Sequence, residues 1–597
     1  MPIKVFADNG SAISEISNSV AYAVDNGAIV LNNSWGTSGW TAAASCGGIT
    51  CYGFIPGTSS SGFNSADERT EWDDVATGNA VAVFAAGNNG NNSETGKIVF
   101  YASRSTGASV VNTYTAQVVK DAGLISHVNR ATYEARFGLV DSDVSENWLN
   151  VVNVDNTNTI SSSSNGCGDT KAYCMAAPGT EIKSTVPTSV ASSGYIKYSG
   201  TSMAAPHVSA AVAILKEQFP SLTGSEIIDL LLSTATDLGA AGTDEVYGVG
   251  LLNLDGATQP TGTMSIAKTN GSNDLHKLSL DGARLKLSNM FSKDVINSSN
   301  FIGVVDSYNR VYSYKLNDFV YVSEEKKNNN NFEYFFTKNK KQNKINLKMD
   351  NFNTVNYSII NNNSLQNYSN FKFNNPYNPF YDLISNNNQN LNFYNNLLNT
   401  NFVIPNVQEN KNLDFAISTN INILKKHPFA LGIVNEEKTF LNSYGSGFFE
   451  NKPNTKTIYL DYEKKYEFEK FNFSTDLSVG QTYLKFKNSD YIEHTKITTS
   501  AYKIALDSKI DKNKIKYSFG YYQPLGIFNG KLNLNTISGY SSSGDYMNRN
   551  QSIDLKNIEN RIFFDVFKFS DSNSVLNFAV DTDGNDLGLA ILYEIKY

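Results

Sequence analysis

The period of the hydrophobic pattern changes once along this chain, and that change constrains the fold more than any other feature. Before about Gly256, apolar residues fall alternately at helical spacing and in short continuous runs. Ser11 to Asn26 places Ile13, Ile16, Val20, Ala23 and Val24 at helical spacing. Ala28 to Asn32, Ala80 to Ala86 and Trp148 to Val154 read as short strands, and Ser202 to Gln218 and Gly224 to Thr236 as helices. Strands that alternate with helices predict a parallel sheet covered on both faces. After about Asn300 the period becomes two. Ile458 to Tyr462, Phe471 to Val479 and Ile515 to Tyr521 alternate, and the last segment puts Leu587, Leu589, Ile591, Tyr593, Ile595 and Tyr597 on one side. Polar turns such as Asp511-Lys512-Asn513, Asn529-Gly530 and Asp583-Gly584-Asn585 separate these runs. Many such strands with an aromatic-rich face predict a transmembrane β-barrel or a soluble β-sandwich, and the pattern leaves both open.

Composition divides the chain at the same place. All four Trp (Trp35, Trp40, Trp72, Trp148) and all four Cys (Cys46, Cys51, Cys167, Cys174) lie in the first third, and the rest is rich in Asn, Lys, Phe and Tyr. A polar stretch from Thr258 to Asn273 reads as a linker. The expected organisation is multi-domain: an α/β parallel-sheet domain over residues 1–257, a linker over 258–300 and an all-β antiparallel domain over 301–597. Lys+Arg 49 against Asp+Glu 57 gives a net charge of −8, which argues against a nucleic-acid partner needing a basic face. No apolar run reaches the roughly 18 residues of a transmembrane helix. Met1 to Asp8 has no basic start, long apolar core or small-residue cleavage site, and reads as a strand already inside a domain rather than as a signal peptide.

The strongest chemical signal is Gly200-Thr201-Ser202-Met203-Ala204-Ala205-Pro206-His207-Val208. Ser202 follows a Gly turn and opens a helix, so its hydroxyl can face a cleft beside helix N-terminal amides that favour negative charge. Pro206 reads as part of the first helical turn, where a missing donor costs nothing. Cys46 and Cys51 bracket four residues, and Cys167 and Cys174 bracket six. Both pairs suit small-loop disulfides in an oxidising compartment, with free buried thiols as the alternative. Zinc is not expected, because no His or carboxylate cluster keeps ligand spacing, whereas calcium sites are not readable from the sequence.

The nine-residue run resembles the serine motif of the subtilisin-like (S8) serine peptidases. Further segments resemble the family pattern in order. Val81 to Asn88 is similar to the strand whose terminal Asn helps form the oxyanion hole, with Ala86 and Gly87 beside the substrate. Asn32-Asn33-Ser34-Trp35-Gly36 is similar to the segment that lines the cleft and pairs with substrate backbone. Ala176 to Thr180 and Tyr247 to Asn253 are similar to two further landmarks. The resemblance implies peptide or protein substrates, Ser202 as nucleophile, Asn88 as oxyanion donor, Ser34, Trp35, Gly36, Ala86 and Gly87 as substrate-binding residues, and no cofactor, with the family's calcium ligands lying partly upstream.

A serine hydroxyl needs an adjacent base, itself held by a carboxylate. The family supplies both in Asp-Thr-Gly and His-Gly-Thr-His segments that precede the serine, and neither segment occurs here. His207 lies on the serine helix, five residues on, and reads as a packing histidine; His127 lies in a polar insertion. Two explanations stand: a chain cut short at its N-terminus, or a catalytically dead relative that binds peptides or acts as an adhesin. The run Asn165-Gly166-Cys167-Gly168 to Tyr173-Cys174-Met175-Ala176-Ala177-Pro178-Gly179-Thr180 resembles subtilase passengers of autotransporters. Val304 to Tyr312, Tyr522 to Leu525 and the terminal strand ending in Tyr597 resemble their C-terminal regions. That resemblance implies an outer-membrane β-barrel, contact with the outer-membrane assembly machinery and display at the cell surface.

Overall fold

A computed structural model describes residues 16–36, 40–46, 49–54, 66–88, 97–101, 110–115, 132, 135, 138, 144–271, 274–296, 300–322, 343–348, 354–361, 387–394, 398–405, 415–421, 429–437, 439–441, 443–452, 455–570, 574–584 and 587–595. The readings made for Met1 to Asp8, His127 and Tyr597 fall outside the described residues. The chain forms two compact units. The first comprises Met1–Thr261 with the short segments Ser307–Arg310 and Ser542–Asp545, and the second takes the remainder.

Unit 1 is built on helix α1 (Ile16–Asp25), strand β1 (Val30–Asn33), α2 (Ala66–Thr77), β2 (Val81–Ala85), β3 (Trp148–Val154), β4 (Cys174–Pro178), the hairpin β5 (Ile182–Thr185) and β6 (Tyr195–Tyr198), α3 (Thr201–Gln218), α4 (Gly224–Ser233) and α5 (Leu254–Thr258). Strands β1 to β4 pair in sequence order and all in parallel. Every residue of β3 and β2 is buried, as expected of a parallel sheet covered on both faces. One cover is α3, which packs on β1, β2, β3 and β4. On the other side Val20 of α1 and Trp72 and Val75 of α2 join Ala82, Phe84, Trp148 and Val152 in one core. Its centre is aromatic: Phe84 stacks on Trp148 at 4.5 Å and Trp72 meets Trp148 edge-on at 4.9 Å. Three of the four Trp thus have a structural cause, since Trp35 also sets its edge against Phe84 at 5.7 Å.

Element ends differ from the sequence reading for local reasons. Gly27 takes φ +78°, its N–H donates to Val24 O and that of Ala28 to Ala23 O. This Schellman closure occupies Ala28, so β1 begins at Val30 rather than Ala28. Helix α4 starts at a capping box in which Thr223 accepts from the Glu226 N–H and Glu226 accepts from the Thr223 N–H. It stops at Ser233, short of Thr236, because Thr236 exchanges backbone bonds with Leu251.

Unit 2 contains thirteen antiparallel strands in one sheet: β7 (Asn343–Lys348), β8 (Thr354–Asn361), β9 (Asn387–Tyr394), β10 (Leu398–Pro405), β11 (Phe415–Ile421), β12 (Phe429–Glu436), β13 (Thr455–Glu467), β14 (Phe471–Leu484), β15 (Thr495–Ser508), β16 (Ile515–Asn529), β17 (Arg561–Phe569), β18 (Ser574–Thr582) and β19 (Leu587–Ile595). Among the described residues the sheet runs in this order from β7 to β19, with those two strands as its ends, so the expected closure into a barrel is not part of the described structure. Residues 258–300, expected as a linker, are largely folded. Ser265–Thr269, Leu275–Ser279 and Arg284–Leu287 are strands. The reason is apolar burial: Ile266, Leu280, Ala283, Leu285 and Leu287 join Phe291, Phe440 and Phe449 in a second core.

Candidate functional site

The described structure brings Ser202, Asn88 and the Ser34 segment together at the C-terminal edge of the parallel sheet. Strand β2 ends at Ala85 and leads through Ala86 and Gly87 to Asn88, and β1 ends at Asn33 beside Ser34. The turn before α3 is fixed by Gly200, whose N–H donates to Gly179 O at 2.9 Å, just beyond β4. Ser202 is therefore the second residue of α3, half-buried, at the positive end of the helix dipole.

Pro206 is the sixth helical residue, past the first turn, so the expectation that no donor is lost there is corrected. Its missing N–H is the one that would have reached Ser202 O, four residues back. The freed carbonyl accepts from Ser34 Oγ at 3.0 Å, and in return Ser202 Oγ donates to Ser34 O at 3.2 Å. Asn32 Nδ2 donates to Ser34 Oγ at 3.0 Å. The helix irregularity thus ties the nucleophile helix to the end of β1.

Asn88 is oriented by Thr201, which is fully buried. Asn88 Oδ1 accepts from Thr201 N at 2.9 Å and Thr201 Oγ1 at 3.1 Å, and Thr201 Oγ1 accepts from the Gly87 N–H at 3.1 Å. With Oδ1 committed, Nδ2 is the end of the exposed Asn88 side chain left to donate. Thr201 stands inside the quoted motif but was assigned no role there. Its place next to Ser202 is the only signal that the sequence offers.

The other expected residues divide. Ser34 and Gly87 lie at the site. Trp35 turns its ring to Phe84 and its Nε1 to Asn33 Oδ1 at 3.1 Å, so its side chain is used in packing, while Gly36 is exposed. Ala86 is fully buried. Cys167 and Cys174 form a disulfide, while the side chains of Cys46 and Cys51 fall outside the described residues. His207 sets Nδ1 against Met203 O at 2.9 Å, on the helix's own backbone. Among the described residues, no imidazole or carboxylate hydrogen-bonds the Ser202 hydroxyl. Its proton rests on a backbone carbonyl, which is too weak a base to remove it.

A parallel α/β sheet with a serine at a helix N-terminus, and an asparagine amide oriented beside it, is an arrangement found in serine hydrolases. Residues 1–250 match the subtilase family (peptidase S8), so this part of the chain is a subtilase-like domain. An extracellular serine protease of Serratia marcescens is 36% identical over 155 residues, covering 23% of this chain and 15% of that protein. Serotype-specific antigen 1 of Mannheimia haemolytica is 45% identical over 118 residues, covering 19% of this chain and 12% of that protein. The matched part is therefore a small fraction of either relative's length. Among solved structures, the prenylagaramide maturation protease aligns over 43% of this chain and 70% of its own at 20% identity and a TM-score of 0.27, too loose to bear on function.

Proposed function

We propose that this chain is the nucleophile-bearing part of a serine endopeptidase displayed at the bacterial surface by a C-terminal outer-membrane β-barrel. Ser202 attacks the substrate carbonyl, and the oxyanion is met by Asn88 Nδ2 and the Ser202 N–H. The end of β1, at Ser34–Gly36, holds substrate backbone, whereas the backbone groups of Ala86 and Gly87 are all bonded within the protein and support Asn88 instead. The base and its carboxylate are not among the described residues that bond the Ser202 hydroxyl. Peptides or proteins are the substrates. The observation that carries the reading is the Thr201–Asn88 bond pair, which aims an amide donor beside the helix N-terminus that bears Ser202. The names of the relatives, an extracellular serine protease and a serotype-specific antigen, agree with a location outside the cell.

The membrane half of the proposal rests on the sheet of unit 2. Leu431, Leu460 and Val479 are exposed cross-strand neighbours on β12, β13 and β14, and Leu506, Phe519 and Phe564 continue the pattern on β15, β16 and β17. The alternate positions carry Thr457, Ser478, Thr482, Ser518 and Asp565, all buried. Large side chains exposed in a continuous band, with polar groups behind them, suit lipid on one side and a polar interior on the other. No helix among the described residues is long and apolar enough to cross a membrane, which leaves crossing by strands open.

A fluorophosphonate probe tests the catalytic half. In a chain carrying the upstream coding sequence, Ser202 is labelled and Ser202→Ala is not. An intact upstream segment with Asp and His, and still no labelling, sinks the enzyme reading. The Ser202 hydroxyl's bond to a carbonyl favours a second reading, a dead relative that binds peptide along Ser34–Gly36. Binding of an unlabelled peptide without cleavage by the same long chain selects that reading.

A further inference from the structure

Beneath the site lies a buried polar residue to which the sequence reading gave no role. Asn165 is fully buried. Its N–H donates to Gly87 O at 2.8 Å and its Nδ2 to Ala86 O at 3.0 Å. A single side chain and its own amide thus take both carbonyls of the dipeptide that joins β2 to Asn88. Ala86 O has one further donor, the Thr132 N–H at 3.0 Å. There is no slack on this side. Gly87 sits at φ +106°, and a Cβ there would lie 2.5 Å from Asn165 Nδ2 and 2.5 Å from Thr132 Cγ2.

Asn165 is itself rigidly held. Ser164 Oγ accepts from the Asn153 N–H at 3.0 Å and donates to Asn165 O at 2.8 Å. Two residues on, Cys167 is bonded to Cys174, the first residue of β4. The far end of β4 leads to Gly179, whose carbonyl fixes Gly200 before the nucleophile. The support under Asn88 and the turn before Ser202 therefore share one strand and one disulfide. Above, the Gly87 N–H reaches Thr201 Oγ1, the group that orients Asn88.

We infer that Asn165 is a positioning residue for the oxyanion hole: it holds the Ala86–Gly87 carbonyls from below, so that the Gly87 N–H stays on Thr201 and Asn88 Nδ2 stays aimed at the reacting carbonyl. The inference deepens the peptidase reading and rests on it for its catalytic consequence, but its structural core is measurable without catalysis. Asn165→Asp is the sharpest change because it keeps the shape and removes the donor. A carboxylate facing a carbonyl repels it, and a buried carboxyl is pushed toward its neutral form, which donates again.

The test uses the full 597-residue chain. Amide hydrogen exchange is followed in the segments 81–88 and 199–204, with 148–154 as an internal reference. The Gly87 and Asn88 amides are expected to exchange about tenfold faster in N165D than in the unaltered chain at neutral pH, with 148–154 unchanged. N165A is expected to act similarly, but only N165D recovers as the pH falls and its carboxyl protonates. Unaltered exchange at Gly87 and Asn88 in both variants overturns the inference, and so does equal acceleration across 148–154, which marks a general loosening. In parallel, residual hydrolysis of a peptide p-nitroanilide is measured. A serine peptidase lacking its base retains about 10³–10⁴-fold acceleration over water through the hole and binding alone. N165D is expected to lower that residual kcat about tenfold with KM within about twofold. If Asn88→Ala leaves hydrolysis unaltered, the peptidase reading fails, while the exchange result still decides the role of Asn165.

Discussion

At the residue scale, the site depends on groups whose polar atoms are fully committed. Thr201 is the clearest case, because one buried hydroxyl accepts from Gly87 and donates to Asn88. Thr201→Val keeps the volume and the N–H bond to Asn88 but removes both hydroxyl bonds. It is expected to lower kcat of a triad-complete chain about tenfold to a hundredfold, with a smaller change in KM, because Asn88 loses one of the two bonds that fix its donor. A kcat within twofold of the parent would show that the Thr201 N–H alone orients Asn88. Gly87→Ala is predicted to be more drastic. Positive φ and the two contacts at 2.5 Å leave a methyl nowhere to go, and about 2 kcal/mol or more of stability is expected to be lost in denaturant unfolding. The sequence made Ser202 and Asn88 legible because both stand in long local runs. Asn165 and Thr201 act through partners 78 to 114 positions away in the chain, and only the folded sheet brings those partners together.

At the element scale, local patterns predicted type well and ends less well. The helical spacing around Val20 and Ala23 and the apolar run before Gly87 specified α1 and β2, whereas backbone closure at Gly27 and pairing of Thr236 with Leu251 moved the boundaries. One feature of unit 1 leaves no trace in the local sequence pattern. Arg310, fully buried, donates to Ala257 O, to Gln259 O at 2.8 Å and to Thr261 Oγ1 at 3.0 Å, and its guanidinium lies 5.0 Å from the Phe219 ring just after α3. Tyr308 Oη donates to Asp229 Oδ2 of α4 at 2.6 Å. Two side chains thereby tie the ends of α3 and α5 to α4. Arg310→Ala leaves several acceptors unpaired and is expected to cost about 2–4 kcal/mol, with Arg310→Lys between it and the parent because an ammonium cannot reproduce the fork. All four Trp lie before Thr261, so tryptophan emission during urea unfolding reports on this unit. A parent-like midpoint for R310A would refute the clasp. Burial, and next the bond to Asp229, push the Tyr308 hydroxyl above its ordinary pKa of 10.0. The folded state therefore favours the neutral phenol. That contribution is complete below pH 10 and is lost as the pH rises through the raised value. Tyr308→Phe is expected to flatten the stability curve in that alkaline window and nowhere else.

At the scale of the whole molecule, the two halves of the chain solve the problem of apolar surface in opposite ways. Unit 1 hides it between helices and sheet, so that Phe84, Trp72 and Trp148 are almost wholly removed from solvent. The sheet of unit 2 turns it outward, with Leu431 50%, Phe519 54% and Ile591 54% exposed. The period-two pattern made the alternation legible, but it could not say which side is covered, because lipid and a second protein layer select the same residues. Exposure is the observation that favours lipid. A sandwich would bury Phe519 and its neighbours against another sheet, and the described structure does not. On the barrel reading, Phe519→Arg and Leu431→Arg each place a charge in hydrocarbon, at about 2–4 kcal/mol near the bilayer centre. Both are expected to reduce folding into phosphatidylcholine vesicles, read as loss of the heat-modifiable band on an unboiled gel. Asp461→Asn, on the opposite side of the same sheet from Leu460, is expected to fold like the parent. If both arginine variants fold as efficiently as the parent in vesicles, and the parent remains monomeric without lipid or detergent, the outward apolar band meets water rather than lipid and the membrane anchor is wrong. A selective loss in the outward variants leaves lipid as the cover that the exposed face requires.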